Sequence, residues 1–585
     1  MNLLHEEVKK ALAALIQEGL QSMGAEESLD KLYSLIVPSP NIEMGQLAFP
    51  MFIFAKSLRS APQKLAVQLA EALPKRDWLV SAEAAGPYIN FVLAADIWAD
   101  KVLKPVLDGS YFQRELTVET PKTMIEYSQP NTHKELHVGH MRNLALGDAL
   151  IRMLRYAGYD IVSATFPGDV GTHVAKCLWY LKNVNDQPAP ADERGAWLGA
   201  MYVAANNKLK EIAGTDAEVE AKAIMTEILK ELEVQSGPYF DLWVETRQWS
   251  IDQMEHVYDW ANVKFDAWYW ESDVDAESLA YARKLYAEGK LAESKGAIGM
   301  DLEDVDLGFA LVIKGDGTGL YLTKDMELAR RKFEENGIEN SIYIVDKRQE
   351  RHFKQVFEVL KRLGFSQAES CFHMKYDYVE GKDGMFESRK GNAVPLMDLI
   401  RQMEGMVGSK YLESQVSEGK MTQAEALEIA EIVSKGAIKY GMIRIDPAKK
   451  ITFDMDEWTN LQGDSGPYQQ YTYARINSLL AKQGYDAAGA TDFKLLDDPR
   501  EMELLVKAGQ FNDVVVSAAQ QYRPNMLTAY LYDLAKLYNN LNNSVIIRDI
   551  TDEVAKNTKM ALHNMVAVLI KEGLAILGIP VPARM

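Results

Sequence analysis

The chain has 585 residues, a formal net charge of -20, and 47% hydrophobic and 25% charged residues. This composition excludes a disordered or fibrous protein, and the length requires several domains, because a single core stops growing at about 300 residues. The acidity argues against a polyanion as partner, although the stretch from Arg500 onward is close to neutral and leaves room for a local basic face.

Nothing in the sequence indicates secretion or membrane insertion. Cys177 and Cys371 are far apart, and neither has a Cys or His neighbour at zinc-ligand spacing, so we expect neither a disulfide framework nor a zinc site. The N-terminal stretch MNLLHEEVKKALAALIQEGL is an amphipathic helical pattern, and no apolar run reaches about 18 residues. We therefore expect a cytoplasmic protein without a membrane span.

The patterns divide the chain into four parts. Residues 1–115 mix helical stretches such as PQKLAVQLAEALPKRD with strand-like ones such as YINFVLA, which predicts a small α/β domain. Residues 116–400 alternate strands and helices, which predicts a parallel sheet, with a charged helical insertion at about 185–290. A connecting segment at 401–430 leads to helical patterns at 431–585, which predict an all-α bundle. We expect an α/β protein.

The stretch KELHVGHMRN, at 134–143, lies where a strand pattern gives way to a helix. Such a turn offers backbone N–H groups and the positive end of a helix dipole, which suit an anion. His137 and His140 would donate hydrogen bonds to phosphate oxygens, and Gly139 lacks the Cβ that would keep a flat base from the backbone. Two alternatives stay open on spacing alone: a zinc pair extended by His133, or two structural histidines at a helix start.

From this point the chain resembles a known family. SQPNTHKELHVGHMRNLALGDALIRMLRYAGYDIVSATFPGDVGTHVAK resembles the catalytic start of arginyl-tRNA synthetases, a class I aminoacyl-tRNA synthetase family, with HVGH in place of the HIGH signature. AGPYINF resembles the family's N-terminal domain, which meets the tRNA elbow. The further resemblances follow in the family's order: YLTKDMELA, IYIVDKRQERHFKQVF, SRKGNAVPL, GDSGPYQQYTYARI and the ending EGLAILGIPVPARM.

The resemblance implies a Rossmann-like catalytic domain and an arginine–tRNA ligase activity. Arginine would be activated by ATP, with Mg2+, to arginyl-adenylate and transferred to the 3'-terminal adenosine of tRNA(Arg). The partners would be tRNA(Arg), L-arginine and ATP, without a tightly bound metal, and we expect a monomer. A nucleotidyltransferase would share the HxGH element without needing the helical C-terminal part. A binding protein that had lost catalysis would be expected to lose the histidines or the pocket acids.

The resemblance also implies an amino-acid pocket, in which carboxylates accept paired N–H bonds from the planar guanidinium. Alternatives at two positions are that Asp325 complements a helix dipole after an N-cap at Thr323 and that Glu126 pairs with a surface lysine. The implied pocket residues are Glu126, Ser128, Asn131, His140, Tyr321, Asp325 and Gln349.

The second signature of the class, the KMSKS loop, departs from its pattern here. KDGMFESRKGNAV has Met385 in place of the first lysine and Glu387 in place of a serine, and a glutamate there would repel phosphates. We predict that Lys134, just before HVGH, neutralises part of the triphosphate, as in some family members. The alternative is a solvated Lys134, with Lys390 in that role. The implied catalytic and ATP-binding residues are Lys134, His137, Gly139, His140, Ser388, Arg389 and Lys390.

Other stretches suggest contacts with tRNA. Aromatic residues on helices are usually core, but unpaired RNA bases stack on such side chains. The resemblance implies three regions of tRNA contact. Tyr88 and Asn90 would meet the D-loop at the tRNA elbow, and Tyr468 and Arg475 lie where the catalytic and helical domains meet and the tRNA arm passes. The residues that would meet the anticodon are Gln520, Tyr522, Asn525 and Tyr530. GDGTG at 315–319 is typical of a hairpin turn and not of a phosphate-binding loop. His173 either lines the same cleft as HVGH or packs behind it.

Overall fold

The computed structural model describes residues 4–40, 42–113, 116, 119–381, 384–385 and 394–585. Four residues singled out from the second signature lie outside this part of the chain: Glu387, Ser388, Arg389 and Lys390. Of the altered KMSKS stretch, the structure describes a two-residue strand that includes Met385.

The N-terminal part is a four-stranded antiparallel sheet, in the order β1-β2-β4-β3, with helices packed against it. Its elements are α1 (Leu4–Ser22), α2 (Leu29–Leu35), β1 (Val37–Pro38), β2 (Leu47–Pro50), α3 (Pro62–Ala72), β3 (Leu79–Ala85), β4 (Tyr88–Leu93), α4 (Ala95–Lys101) and α5 (Leu103–Asp108). The sheet and helices confirm the expected small α/β unit.

The middle part holds a five-stranded parallel sheet and two small sheets. Its first elements are β5 (Thr123–Glu126), α6 (Val138–Tyr156), β6 (Ile161–Thr165), α7 (Thr172–Asn183), α8 (Arg194–Glu211), α9 (Asp216–Val234), α10 (Pro238–Ala261), β7 (Ala267–Trp268), α11 (Glu271–Ala287), β8 (Ala292–Ser294), β9 (Ala297–Leu302) and β10 (Gly308–Ile313). The remaining elements are α12 (Tyr321–Asn336), β11 (Asn340–Asp346), α13 (Glu350–Arg362), β12 (Cys371–Tyr376), β13 (Val379–Gly381), β14 (Gly384–Met385), α14 (Leu396–Val407), α15 (Glu413–Ser417), α16 (Gln423–Ile443), β15 (Ile451–Thr452) and α17 (Met455–Trp458).

The five-stranded sheet has the order β12-β11-β5-β6-β7, with every neighbouring pair parallel. The chain builds outward from β5 to β6 and β7, then returns to the other side of β5 with β11 and β12. The strand order therefore reverses beside β5, and ligands of such sheets bind at the carboxyl ends of the strands at this point. The expected α/β fold with a Rossmann-like sheet is confirmed.

Between β6 and β11 the chain makes two excursions. After β6 it forms α7 to α10 before it returns to the sheet edge as β7. After α11 it forms a separate antiparallel sheet, β10-β9-β8, to which the strand pattern GFALVI belongs. Residues 315–319 are a turn, closed by an antiparallel bridge between Ile313 and Gly319, so the predicted turn is confirmed. The bounds of the insertion stay a prediction.

The C-terminal part is all-α and packs on both other parts. Its helices are α18 (Gly466–Gln483), α19 (Pro499–Gly509), α20 (Phe511–Gln520), α21 (Asn525–Ser544) and α22 (Glu553–Ile576). Trp98 donates its indole N–H to the carbonyl of Leu505 at 2.6 Å, which holds α4 against α19. Tyr156 of α6 donates its hydroxyl to the side-chain oxygen of Asn512 of α20 at 2.7 Å, which joins the middle part to the C-terminal part. Within the middle part, Lys439 of α16 pairs with Asp148 of α6 at 2.6 Å, and both are buried. No helix in the described ranges is long and apolar enough to span a membrane.

Candidate active site at the carboxyl edge of the parallel sheet

The HVGH turn caps helix α6 with its own histidines. His137 is the N-cap, and its Nδ1 accepts the backbone N–H of Gly139 at 3.1 Å. The backbone N–H of His137 in turn donates to Nδ1 of His140 at 3.1 Å, and the ring centroids lie 3.9 Å apart. Because both Nδ1 atoms accept hydrogen bonds, each ring carries its proton on Nε2. The turn therefore offers two imidazole N–H donors at a helix N-terminus.

Both imidazoles are neutral near pH 7. Burial lowers the pKa of His137 to about 4, and the positive charges of Lys134 and Arg348 add to this effect. Burial also holds the pKa of His140 well below its ordinary value. A Cβ on Gly139 would lie 2.9 Å from Cε1 and 3.0 Å from Nδ1 of His137. The glycine therefore lets the His137 ring fold back over the helix start, a reason that differs from the base stacking expected from the sequence.

Helix α10 holds the loop between β5 and α6. His133 has a left-handed backbone, with φ 59°, and is fully buried. Its Nε2 lies 2.8 Å from the hydroxyl of Thr246, and its backbone N–H donates to the hydroxyl of Ser250 at 2.9 Å. One turn or two further along α10, the hydroxyl of Tyr258 lies 3.0 Å from that of Ser128. These hydroxyl contacts make His133 structural, and no group of three or more His, Cys, Asp or Glu residues in the described ranges could hold a metal.

Glu126, the last residue of β5, is 4% exposed. Its Oε1 accepts a hydrogen bond from Gln129 at 3.1 Å, and its Oε2 forms an ion pair with the ammonium of Lys332. Lys332 is fully buried, and its Nζ lies 4.0 Å from the ring centroid of Tyr343. The lysine partner considered from the sequence thus exists, but it lies in the core and not on the surface.

Asp325 forms a hydrogen bond with His352. Its Oδ2 lies 2.5 Å from Nε2 of His352, at the start of α13. Burial alone would lower the pKa of His352, but the hydrogen bond and charge of Asp325 raise it above its ordinary value. The N-cap of α12 is Leu320, so the alternative that placed an N-cap at Thr323 is wrong. The hydroxyl of Thr323, the third residue of the helix, instead accepts the backbone N–H of Leu320 at 2.9 Å.

The charges of the two acids act on one tyrosine. Tyr343 of β11 pairs in register with Glu126 of β5. Burial raises the pKa of the Tyr343 phenol well above its ordinary value, and the negative charges of Glu126 and Asp325 raise it further. Both carboxylates therefore lie close to the same side chain, beside the point where the strand order reverses.

The other predicted pocket residues differ in exposure. Asn131 is half-buried and bridges to Gly168, where a Cβ would lie 2.5 Å from its side-chain oxygen. Ser128 is buried in the loop held by α10. Tyr321, the first residue of α12, is 72% exposed, and Gln349 is exposed in the turn that follows β11. The positive charge of Arg348, next to Gln349, contributes to the lowered pKa of His137. The turn that follows β11 therefore lies near the start of α6.

Lys134 lies within electrostatic reach of three histidines. Its positive charge lowers the pKa values of His137, His140 and His173, in each case as a smaller effect than burial. Its Nζ lies 5.3 Å from the ring centroid of Tyr202, on α8. His173, at the start of α7, is half-buried, and its buried Nε2 has no hydrogen-bond partner among the described residues. The side chain of Lys134 therefore lies near the HVGH turn.

The residues predicted to contact tRNA at its elbow and at the junction of the domains differ in solvent exposure. Tyr88 is 38% exposed and contacts the edge of the Phe52 ring, whereas Asn90 is 4% exposed in the middle strand of the N-terminal sheet. On α18, Arg475 is exposed, and the hydroxyl of half-buried Tyr468 accepts a hydrogen bond from Asn539 at 2.8 Å.

The residues predicted to meet the anticodon also differ in solvent exposure. Gln520 is exposed at the end of α20, and Tyr522 is half-buried, with a left-handed backbone. Asn525 is half-buried at the start of α21. Tyr530 is 2% exposed and donates its hydroxyl to the carbonyl of Lys507 at 2.8 Å, so a base cannot stack on it unless the bundle opens. All these tRNA contacts stay predictions.

Sequence reasoning missed the residues that support the site. Asp169, fully buried in the GDVGT loop, accepts hydrogen bonds from Arg247 of α10 at 2.7 Å and from Ser272 of α11 at 2.7 and 2.8 Å. Lys332 and His352, the partners of the two pocket acids, were also missed. Lys332 stands at i+7 from Asp325, a helical spacing that could have drawn attention to it.

Three family models together match almost the whole chain. They are described as the arginyl tRNA synthetase N terminal domain, matching residues 2–93, tRNA synthetases class I (R), catalytic domain, matching 104–455, and the DALR anticodon binding domain, matching 469–585. The catalytic model covers more than half of the chain and fits the parallel sheet with its HxGH turn. The fold and site therefore define a class I aminoacyl-tRNA synthetase.

Individual relatives narrow this assignment. The chain is 50% identical over 558 residues to an arginine–tRNA ligase of Bdellovibrio bacteriovorus, with 95% of each chain covered. It is 33% identical to one of Clostridium botulinum, covering 99% of this chain and 100% of that one. The solved Thermus thermophilus arginyl-tRNA synthetase matches with a TM-score of 0.75 and 26% identity over 99% of this chain and 100% of that one. The chain therefore belongs to the arginine–tRNA ligase family, which confirms the resemblance found in the sequence.

Proposed function

We propose that the cleft at the carboxyl ends of β5 and β11 joins arginine to tRNA(Arg) in two steps. A carboxylate oxygen of arginine attacks the α-phosphorus of ATP, the bond to the β-phosphate oxygen breaks, and pyrophosphate leaves. The 2'-hydroxyl of the terminal adenosine of tRNA then attacks the acyl carbonyl of arginyl-adenylate, and AMP leaves. Membership of the family favours this reaction over that of a nucleotidyltransferase.

The observation that carries the proposal is the self-capped HVGH turn beside two acids, the buried Glu126 and the half-buried Asp325. In the first step, negative charge builds on the phosphate oxygens as pyrophosphate departs. The Nε2–H groups of His137 and His140 are donors already fixed by their Nδ1 contacts, so they need no reorganisation to stabilise this charge. The N-terminus of α6 adds its dipole.

Neutral imidazoles do not compensate the charge of the triphosphate, so cations must do so. ATP enters as its Mg2+ complex, which carries part of this charge. Lys134, next to the HVGH turn, supplies another positive charge in this proposal. Ser388, Arg389 and Lys390 belong to a loop with a reduced role, because Glu387 repels phosphates.

Arginine binds with its guanidinium toward Glu126 and Asp325. Each acid offers oxygen lone pairs beyond those used by its protein partner, and a guanidinium presents paired N–H donors to such oxygens. Ser128, Asn131, His140, Tyr321 and Gln349 complete the pocket in this proposal. The tyrosine and glutamine lie in exposed positions and would close over the bound amino acid.

The tRNA contacts are proposed at the three regions predicted from the sequence, with one exposed side chain in each: Tyr88, Arg475 and Gln520. We further propose that the enzyme is a cytoplasmic monomer and that arginine activation depends on bound tRNA. Pyrophosphate exchange with and without tRNA(Arg) tests this dependence. Equal exchange rates in the two conditions would contradict it.

An aminoacylation assay with each of the twenty amino acids and total tRNA tests the assignment. The wild type is expected to charge arginine alone, and Asp325→Ala should lose this charging while the protein stays folded. Glu334→Ala is the matched control, because Glu334 lies on the same helix with its side chain 59% exposed and pairs with Arg330. Charging of another amino acid, or an unchanged arginine KM in Asp325→Ala, would overturn the proposal.

A further inference from the structure

A fully buried lysine lies behind the arginine pocket. Lys332, in the fourth turn of α12, reaches the sheet and forms its ion pair with Oε2 of Glu126. The ring of Tyr343 lies on its other side, with the centroid 4.0 Å from Nζ. The ammonium is therefore held between a carboxylate and an aromatic face, in a fixed place at the end of β5.

In such a pair, each buried charge is compensated only by the other. Removing a charged group from water is costly, and a buried carboxylate or ammonium that loses its partner stays uncompensated. A buried carboxylate without a cation tends to bind a proton, because burial disfavours its charged form. Glu126 can attract a guanidinium only while it is ionised.

We propose that Lys332 is a positioning residue that keeps Glu126 ionised and fixes its Oε2, so that the rest of the carboxylate can accept the arginine side chain. The inference rests on the proposed role of Glu126 in the pocket. Because the guanidinium is a cation and the ureido group of citrulline is its neutral isostere, Lys332 also sets the preference of the site for arginine over citrulline.

The test compares Lys332→Met with Lys332→Arg. Steady-state aminoacylation gives kcat and the KM values for arginine and ATP, and competition gives the inhibition constant of citrulline. Since hydrogen bonds to charged groups are worth about 10- to 100-fold in binding, Lys332→Met should raise the arginine KM about tenfold or more. Citrulline inhibition and the ATP KM should stay within about twofold, and Lys332→Arg should restore the arginine KM to within about threefold.

Lys439→Met is the matched control. Lys439 is also a buried lysine in a carboxylate pair, with Asp148 at 2.6 Å, but it joins α16 to α6 and not the pocket. General loosening of the fold would affect both methionine variants alike. The inference requires that only Lys332→Met change the ratio of the arginine KM to the citrulline inhibition constant.

Three outcomes would overturn the inference: an unchanged arginine KM in Lys332→Met, equal weakening of arginine and citrulline binding, or the same change of ratio in Lys439→Met.

If Lys332→Met does not fold, the variant Glu126→Gln/Lys332→Met replaces it. Its arginine KM should equal that of Glu126→Gln alone, since Lys332 acts through Glu126, and an additional increase would sink the idea. A wild-type arginine KM in Glu126→Gln contradicts the proposed pocket itself, whereas a raised one without an effect of Lys332→Met contradicts only this inference.

Discussion

Replacing Gly139 by alanine separates two roles of the HVGH turn, the capping of helix α6 and the proposed donation of hydrogen bonds to phosphate. The new Cβ would lie 2.9 Å from the His137 ring, so the imidazole must rotate away from the helix start. The cap hydrogen bond of 3.1 Å is then lost, at about 1 kcal/mol, while alanine improves helix propensity by up to about 1 kcal/mol. The free energy of unfolding should thus change by less than about 1 kcal/mol. The displaced His137 donor should lower the rate of arginine activation about 100-fold or more.

Pyrophosphate exchange in the presence of tRNA(Arg) measures the activation rate, and urea unfolding measures stability. Gly405→Ala is the control, because Gly405 lies within α14 and a Cβ there meets no atom of the described residues within 4 Å. That variant should gain up to about 1 kcal/mol of stability with an unchanged exchange rate. An exchange rate for Gly139→Ala within about threefold of wild type would refute the role given to the His137 ring.

Three further predictions concern neighbouring groups. The arginine KM should rise as the pH falls through the raised pKa of His352, because the imidazolium then competes with the guanidinium, and His352→Gln should flatten this pH profile. Tyr258→Phe removes the hydroxyl 3.0 Å from that of Ser128 and should destabilise the fold by about 1–2 kcal/mol in urea unfolding; an unchanged stability would contradict this role. Lys134→Ala should reduce pyrophosphate exchange about 100-fold, and Lys390→Ala much less; the reverse order would favour the alternative assignment.

Local signals were sufficient for the start of α6 but not for the loop before it. The change from a strand pattern to a helix pattern, with glycine and histidines between, predicts the turn from the sequence of the turn alone. The left-handed backbone of His133 depends on Thr246, 113 residues further along the chain. No local preference encodes that contact, because it forms only when α10 packs against the sheet.

The partners of the two pocket acids show the same limit of prediction from the sequence. Glu126 at a strand end and Asp325 in the first turns of α12 follow from the pattern and the resemblance. Lys332 belongs to the charged stretch ARRKFEEN, which by composition is typical of a solvated helix face. Only the packing of α12 on β5 and β11 buries this lysine, and only the packing of α13 brings His352 to Asp325. Burial, and not residue type, distinguishes Lys332, with its side chain 0% exposed, from its neighbours Arg330 and Arg331, at 35% and 24%.

The charges at the carboxyl edge of the sheet largely cancel within the protein. Lys332 pairs with Glu126, Lys324 with Glu271 at 2.6 Å, and Arg247 with Asp169 at 2.7 Å. Because these cations are held by acids and both HVGH imidazoles are neutral, none of them can move its charge to the triphosphate without leaving a buried acid uncompensated. In the proposed reaction, the positive charge around the triphosphate therefore comes from Mg2+ and from other cations, and we proposed Lys134, beside the turn, as one of them.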